Sequence, residues 1–129
     1  MANRYPEAAL LAARQGISAG VTPAHLWELA MEQVYPTSPT ARKKGATRGA
    51  FLGLCEEGLV KGIPAGSYGA TRDNKGHAVR AAHLLIAGTQ SWSISQLWEA
   101  ASESSKKPHH GQMDIVMALW KNGLIVIGS

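Results

Sequence analysis

Basic residues form the group with the clearest chemical use in this sequence. Four of the thirteen Lys and Arg residues fall within seven positions, and a second basic group follows later in the chain. The first group comprises Arg42, Lys43, Lys44 and Arg48, and the second comprises Lys106, Lys107, His109 and His110. Each group lies at the start of a predicted helix, where cations and free backbone amides together suit a phosphate backbone. The sequence therefore predicts DNA binding at the start of the third helix in each half of the chain.

Three polar residues near these groups are candidates for reading base edges. Thr47, Arg48 and Gln112 fall within the first turns of the two helices that would face the DNA. Contacts to phosphates would supply most of the affinity, and these side chains would supply any sequence preference.

The same charges also allow an interpretation without nucleic acid. Solvated basic loops often do no more than keep a protein soluble, and the chain would then be a protein-interaction or structural module. Exposed aromatic residues such as Trp92 and Tyr68 would mark its contact surface, for a partner protein or for a homodimer. We favour DNA binding because it explains where the charges lie as well as their sign.

The other reactive residue types form no catalytic or metal-binding pattern. His110 and Asp114 are four residues apart, but no cysteine pair, HExxH motif or carboxylate cluster supplies further zinc ligands. The single cysteine, Cys55, lies on the apolar side of a predicted helix and next to Glu56, so we expect a buried and unreactive thiol. The sequence therefore predicts a protein that is not an enzyme and holds no metal ion or cofactor.

Composition indicates a small basic protein. The chain has 129 residues, a formal net charge of +4 and 45% hydrophobic residues, which is enough to bury roughly two-thirds of the unfolded surface. No apolar run approaches the roughly 20 residues that a membrane span requires, and the first residues show no signal peptide. A single cysteine excludes an internal disulfide framework. We expect a cytoplasmic protein without membrane contact.

Several short sequence patterns occur twice in the same order. The tripeptide Leu-Trp-Glu occurs at residues 26–28 and 97–99, and Gly-Leu before a β-branched residue occurs at 58–60 and 123–125. Thr22 and Ser93 precede the first pair and provide the hydroxyl groups that N-caps use. Such ordered matches predict an internal duplication. The matched residues Trp27 and Trp98 are expected to lie in the core.

Three helices are expected in each half. Those of the first half cover residues 6–15, 23–34 and a segment that begins between 39 and 47 and ends at 58. Those of the second half cover residues 77–87, 94–104 and 111–122. The apolar segments after the third helices favour a short β-ribbon. We predict a mainly α fold of two tandem three-helix units, residues 1–66 and 77–129, joined in one compact body by a Gly-rich connection or wing at 67–76.

This order of elements resembles the winged helix-turn-helix pattern. The resemblance rests on three helices followed by Gly-Leu-Val and an extended segment at residues 58–63. It implies a DNA-binding unit in each half and a wing tip within residues 66–76, which include Arg-Asp-Asn-Lys at 72–75. As a whole, the chain is similar to an uncharacterised group of short bacterial proteins, which implies no particular activity.

A stripe of small residues runs along the third helix of the first half. Gly45, Gly49 and Gly53 are four residues apart and therefore share one helix face. A face without side chains allows another backbone to approach closely, and it also allows a ligand groove. The sequence leaves both interpretations open.

Overall fold

The computed structural model describes residues 4–15, 21–43, 45–88, 90–102 and 111–126, and these residues are mainly helical. They form seven helices: α1 (Tyr5–Gln15), α2 (Pro23–Val34), α3 (Pro39–Arg42), α4 (Gly45–Glu56), α5 (Arg72–Ala87), α6 (Ile94–Ser102) and α7 (Gln112–Lys121). The mainly helical fold predicted from the sequence is confirmed. None of these helices is long and apolar enough to cross a bilayer.

Helix α2 shows how the sequence sets its own limits. The Thr22 side chain accepts a hydrogen bond from the His25 amide, 3.2 Å away, and Pro23 occupies the first turn. At the other end the Tyr35 amide donates to the Met31 carbonyl, and the following proline disfavours further helix. Between these ends Trp27 is buried and its ring stacks on that of Phe51 in α4, with centroids 5.3 Å apart.

Helices α4 and α7 lie in the middle of the fold. Helix α4 buries eight of its twelve residues and α7 buries six of its ten. Helix α4 contacts α2, α5 and α7, while α7 contacts α1, α4, α5 and α6. A helix that is apolar on most sides is buried on most sides, so these two helices form the centre of the core.

The first helix of each half packs against the last helix of the other half. Helix α1 contacts α7, and the most extensive contact in the described chain joins α4 to α5. A Cβ added at Gly49 would come within 2.8 Å of the Asn74 side chain, and one at Gly53 within 2.6 Å of the Lys75 Cα. At Gly49 and Gly53 the stripe is therefore a surface for close helix packing rather than an open groove.

Helices α4 and α7 end in the same hydrogen-bond pattern. Gly58 and Gly123 follow them, each with a φ of +70°. The Leu59 amide donates to the Leu54 carbonyl at 3.0 Å, and the Leu124 amide donates to the Leu119 carbonyl at 2.9 Å. The amide of each glycine donates to the carbonyl of the residue three positions earlier, at 3.1 Å in both cases. Both ends are Schellman motifs, which need a residue that tolerates positive φ.

The segments after these motifs meet each other. Val60 and Ile125 form an isolated antiparallel bridge. The Lys61 amide donates to the Leu124 carbonyl at 2.9 Å, and the Val126 amide donates to the Leu59 carbonyl at 2.8 Å. Among the described residues this bridge is the whole of the β structure, so it does not establish the predicted ribbon.

The predicted wing tip at residues 72–75 is wrong, because these residues form the first turn of α5. Thr71 precedes the helix in an extended conformation, and its carbonyl accepts the Lys75 amide at 2.9 Å. Asp73 lies in the first turn, where the helix dipole favours a negative charge. The helix therefore starts five residues before the predicted position, and Gly76 lies inside it.

Candidate nucleic-acid interface

The first basic group lies at the corner between α3 and α4. The Ser38 hydroxyl accepts the Ala41 amide and starts α3, which carries Arg42 as its last residue. Lys43 is exposed in the turn that follows, and Arg48 is half-buried in the first turns of α4. Lys44 lies outside the described residues.

Arg42 is bound within the protein. Its guanidinium donates hydrogen bonds to the carbonyl oxygens of Tyr35 and Pro36, both at 3.0 Å. It also lines a cavity of about 150 Å³ together with Glu28 and Glu32 of α2. A cation that satisfies carbonyls beyond a helix end and lies near carboxylates stabilises the corner. Its charge is therefore less available to an external phosphate than the charge of Lys43.

Two of the candidate base contacts face the interior. Thr47 is 0% exposed and Gln112 is 3% exposed. The Gln112 amide nitrogen donates to the Asn74 side-chain oxygen at 3.0 Å, which links α7 to α5. Because α4 and α7 are core helices, neither side chain has a surface from which to reach a base. We retain neither of them as a base contact.

The second basic group lies outside the described residues. This holds for all four of its members, Lys106, Lys107, His109 and His110. The described chain stops at Ser102, the end of α6, and resumes at Gly111 immediately before α7. The position of this group relative to Lys43 and Arg48 stays a prediction.

The start of α4 is open to solvent. Gly45 is exposed, and a Cβ added there would meet no atom of the described residues within 4 Å. The first amides of a helix have no partner within the helix, and the helix dipole makes this end favourable for anions. With Lys43 before it and Arg48 within it, this turn presents the features that a phosphate group needs.

Comparison with known proteins places the chain in one family. The model of a family of unknown function, DUF6979, matches residues 2–126. The chain belongs to the DUF6979 family. No curated protein and no solved structure matches it. The unknown function of DUF6979 agrees with the similarity to an uncharacterised group that the sequence suggested.

Among the charged residues that the structure describes in this DUF6979 protein, Glu56 has several hydrogen-bond partners, and the sequence did not single it out. Its carboxylate accepts hydrogen bonds from the amides of Tyr68 and Ala70, at 2.8 Å and 3.1 Å, and from Lys75 Nζ at 2.9 Å. Burial alone would raise the pKa of Glu56, but these bonds outweigh it and lower the pKa to about 2. The carboxylate ties the connecting segment and α5 to the end of α4, which is a structural role.

The described residues of the DUF6979 chain contain no group of three metal-ligating side chains. Cys55 is buried, as predicted, and burial raises the pKa of its thiol well above the ordinary value. A protonated, inaccessible thiol is a poor nucleophile.

The two aromatic residues expected at a contact surface lie in separate loops. Tyr68 is half-buried, and its hydroxyl donates to the Pro64 carbonyl at 2.6 Å within the connecting segment. Trp92 is half-buried in the loop before α6 and lines a cavity together with Trp120. Trp120 is 37% exposed, and the sequence carries no signal for this exposure because the residue that matches Trp120 is the buried Cys55.

Proposed function

We propose that this protein binds the phosphate backbone of nucleic acid, double-stranded DNA in particular, at the corner between α3 and α4. The observation that carries the proposal is the exposed start of α4 at Gly45, beside the exposed Lys43 and the half-buried Arg48. The formal net charge of +4 adds attraction at longer range. A cytoplasmic location and the absence of catalytic activity belong to the same proposal.

The proposed contact involves phosphates and no insertion of a recognition helix. A helix that enters the major groove must offer an exposed face to base edges, whereas α4 and α7 bury most of their residues. The corner can instead lie across the backbone, where Lys and Arg release counterions without reading sequence. This mode of binding predicts an affinity that depends on charge and is similar for unrelated DNA sequences.

Internal duplication is part of the proposal and supplies a second contact. The equal helix ends at Gly58 and Gly123 and the reciprocal bridge between Val60 and Ile125 support it. Two related helical units would each carry a basic group before their last helix. The second group would then be residues 106–110.

Charge removal at the corner tests the proposal. We expect Lys43→Gln combined with Arg48→Gln to weaken binding to a short fluorescent duplex by about tenfold at low salt, since a phosphate contact is lost. Lys61→Glu is the matched control, because Lys61 is exposed and lies on the segment that forms the bridge. Equal affinities for the double variant and the control contradict the proposal, provided that circular dichroism shows both folded.

A protein-interaction module is the second candidate function. The exposed Trp120 favours it, because a large aromatic ring in water leaves much apolar area unburied.

A further inference from the structure

A shallow cavity lies between the end of α5, the loop before α6 and the last turns of α7. Its volume is about 300 Å³. Apolar side chains of Leu85, Trp92, Met117 and Trp120 line it, with Gln90 and Lys121 among its polar residues. We name it the Trp120 groove.

The end of α7 is uncovered where the matched end of α4 is covered. A Cβ added at Gly58 would contact Ala65 at 3.4 Å, and the Glu56 carbonyl accepts the Gly66 amide at 3.1 Å. At α7, a Cβ on Gly123 would meet no atom of the described residues within 4 Å, and Lys121 is exposed. Among the described residues, no segment covers α7 as the connecting segment covers α4.

The lining of the Trp120 groove defines what it can hold. Exposed tryptophans at the centre of a small apolar cavity are the usual anchors of protein interfaces. The volume is sufficient for one or two large side chains. Among the described residues of the lining Lys121 is the only charged one, so an occupant with a carboxylate matches its charge.

The covered end of α4 indicates the form of the occupant. Its cover is an extended segment whose Tyr68 and Ala70 amides donate to Glu56, while Lys75 of α5 supplies the opposite charge, 2.9 Å away. The residue of α7 that matches Glu56 in sequence is Lys121. An extended segment that brings a carboxylate to Lys121 would cover α7 in a similar way and would itself supply the opposite charge, which at α4 comes from α5.

We propose that the Trp120 groove binds an extended segment of a partner protein. The segment places an aromatic or large aliphatic side chain between Trp92 and Trp120 and an acidic side chain beside Lys121. This inference rests on the second candidate function and is independent of the DNA contact, which involves other residues.

Selection from a displayed library of random linear peptides tests the proposal, with the full chain as the target. We expect wild-type protein to select peptides that pair an apolar anchor with Asp or Glu. Lys121→Glu should select Lys or Arg instead, a reversal that a merely structural role of Lys121 would not produce. Trp120→Ala should weaken the selected peptides by about 30-fold or more in calorimetry, and Lys61→Glu should bind them like wild type.

Three outcomes overturn the inference in different ways. If no selected peptide depends on Trp120, both the groove and the second candidate function fail. If the peptides depend on Trp120 but lack acidic residues, only the proposed chemistry of the partner fails. If sedimentation shows a dimer that Trp120→Ala dissociates, the occupant is a second copy of the chain. None of these results bears on DNA binding, which Trp120→Ala should leave unchanged.

Discussion

Gly53 of α4 lies so close to Lys75 of α5 that a Cβ on the glycine would come within 2.6 Å of the lysine Cα. The contact involves backbone, so it cannot be relieved by rotating a flexible side chain. The same lysine donates to Glu56 one turn further along α4. Close backbone approach and a half-buried ion pair therefore join the two halves of the chain at one place.

Gly53→Ala should destabilise the protein. Adding one methyl group where the backbones touch forces α4 and α5 apart, at a cost of about 1–3 kcal/mol in the free energy of unfolding. Gly45→Ala is the control, because a Cβ there meets no atom within 4 Å and alanine favours helix by up to about 1 kcal/mol. Urea unfolding of both variants measures the difference. A Gly53→Ala protein as stable as Gly45→Ala would show that the helices are not in close contact.

Glu56→Gln should destabilise the protein near neutral pH and have little effect in acid. The folded-state pKa of Glu56 is about 2, below the ordinary value of 4.5. A carboxyl group whose pKa is lower in the folded than in the unfolded protein stabilises the folded state when it is ionised. This stabilisation is fully present above about pH 4.5 and is lost as the pH falls towards 2. We expect a loss of about 1–3 kcal/mol near neutral pH, typical of a hydrogen-bonded charge, and convergence with wild type near pH 2.

Glu57→Gln is the control for this pH dependence. Glu57 also contacts Lys75 Nζ, at 3.1 Å, but its side chain is 47% exposed. Exposed ion pairs contribute less than about 1 kcal/mol. Urea unfolding at several pH values compares the two variants, and a Glu56→Gln effect that does not change with pH would refute the assignment.

Cys55 should react with thiol reagents only when the protein unfolds. The side chain is 0% exposed, and burial raises the pKa of the thiol, so the reactive thiolate is scarce in the native state. We expect slow labelling by Ellman's reagent in buffer and complete labelling in denaturant. Rapid, complete labelling of native protein would mean that the end of α4 is open.

Local signals predicted most of the helical fold. Helix α2 has the predicted limits because Thr22, Pro23 and the Tyr-Pro pair after Val34 act through neighbouring residues. The start of α5 was missed because Gly76 looked like a boundary, although Thr71 and Asp73 carry an ordinary helix-start signal. Such signals do not report which helices pack together, so the contacts of α1 with α7 and of α4 with α5 were not predicted.

The candidate site was harder to predict than the fold. Thr47 and Gln112 look like exposed polar residues at helix starts, and only the central position of α4 and α7 shows that they are buried. Arg42 binds carbonyls that lie six and seven residues away, and Glu56 binds groups twelve to nineteen residues away. These roles depend on how the chain turns back on itself, which residue type and spacing do not specify.

The salt dependence of binding to a short DNA duplex tests the central claim most directly. If Lys43, Arg48 and the start of α4 neutralise two to four phosphates, the logarithm of the association constant should fall against log salt with a slope of about −2 to −4. Unrelated duplex sequences should give the same slope and nearly the same affinity. No binding at low salt, or binding with a slope near zero, would contradict the account.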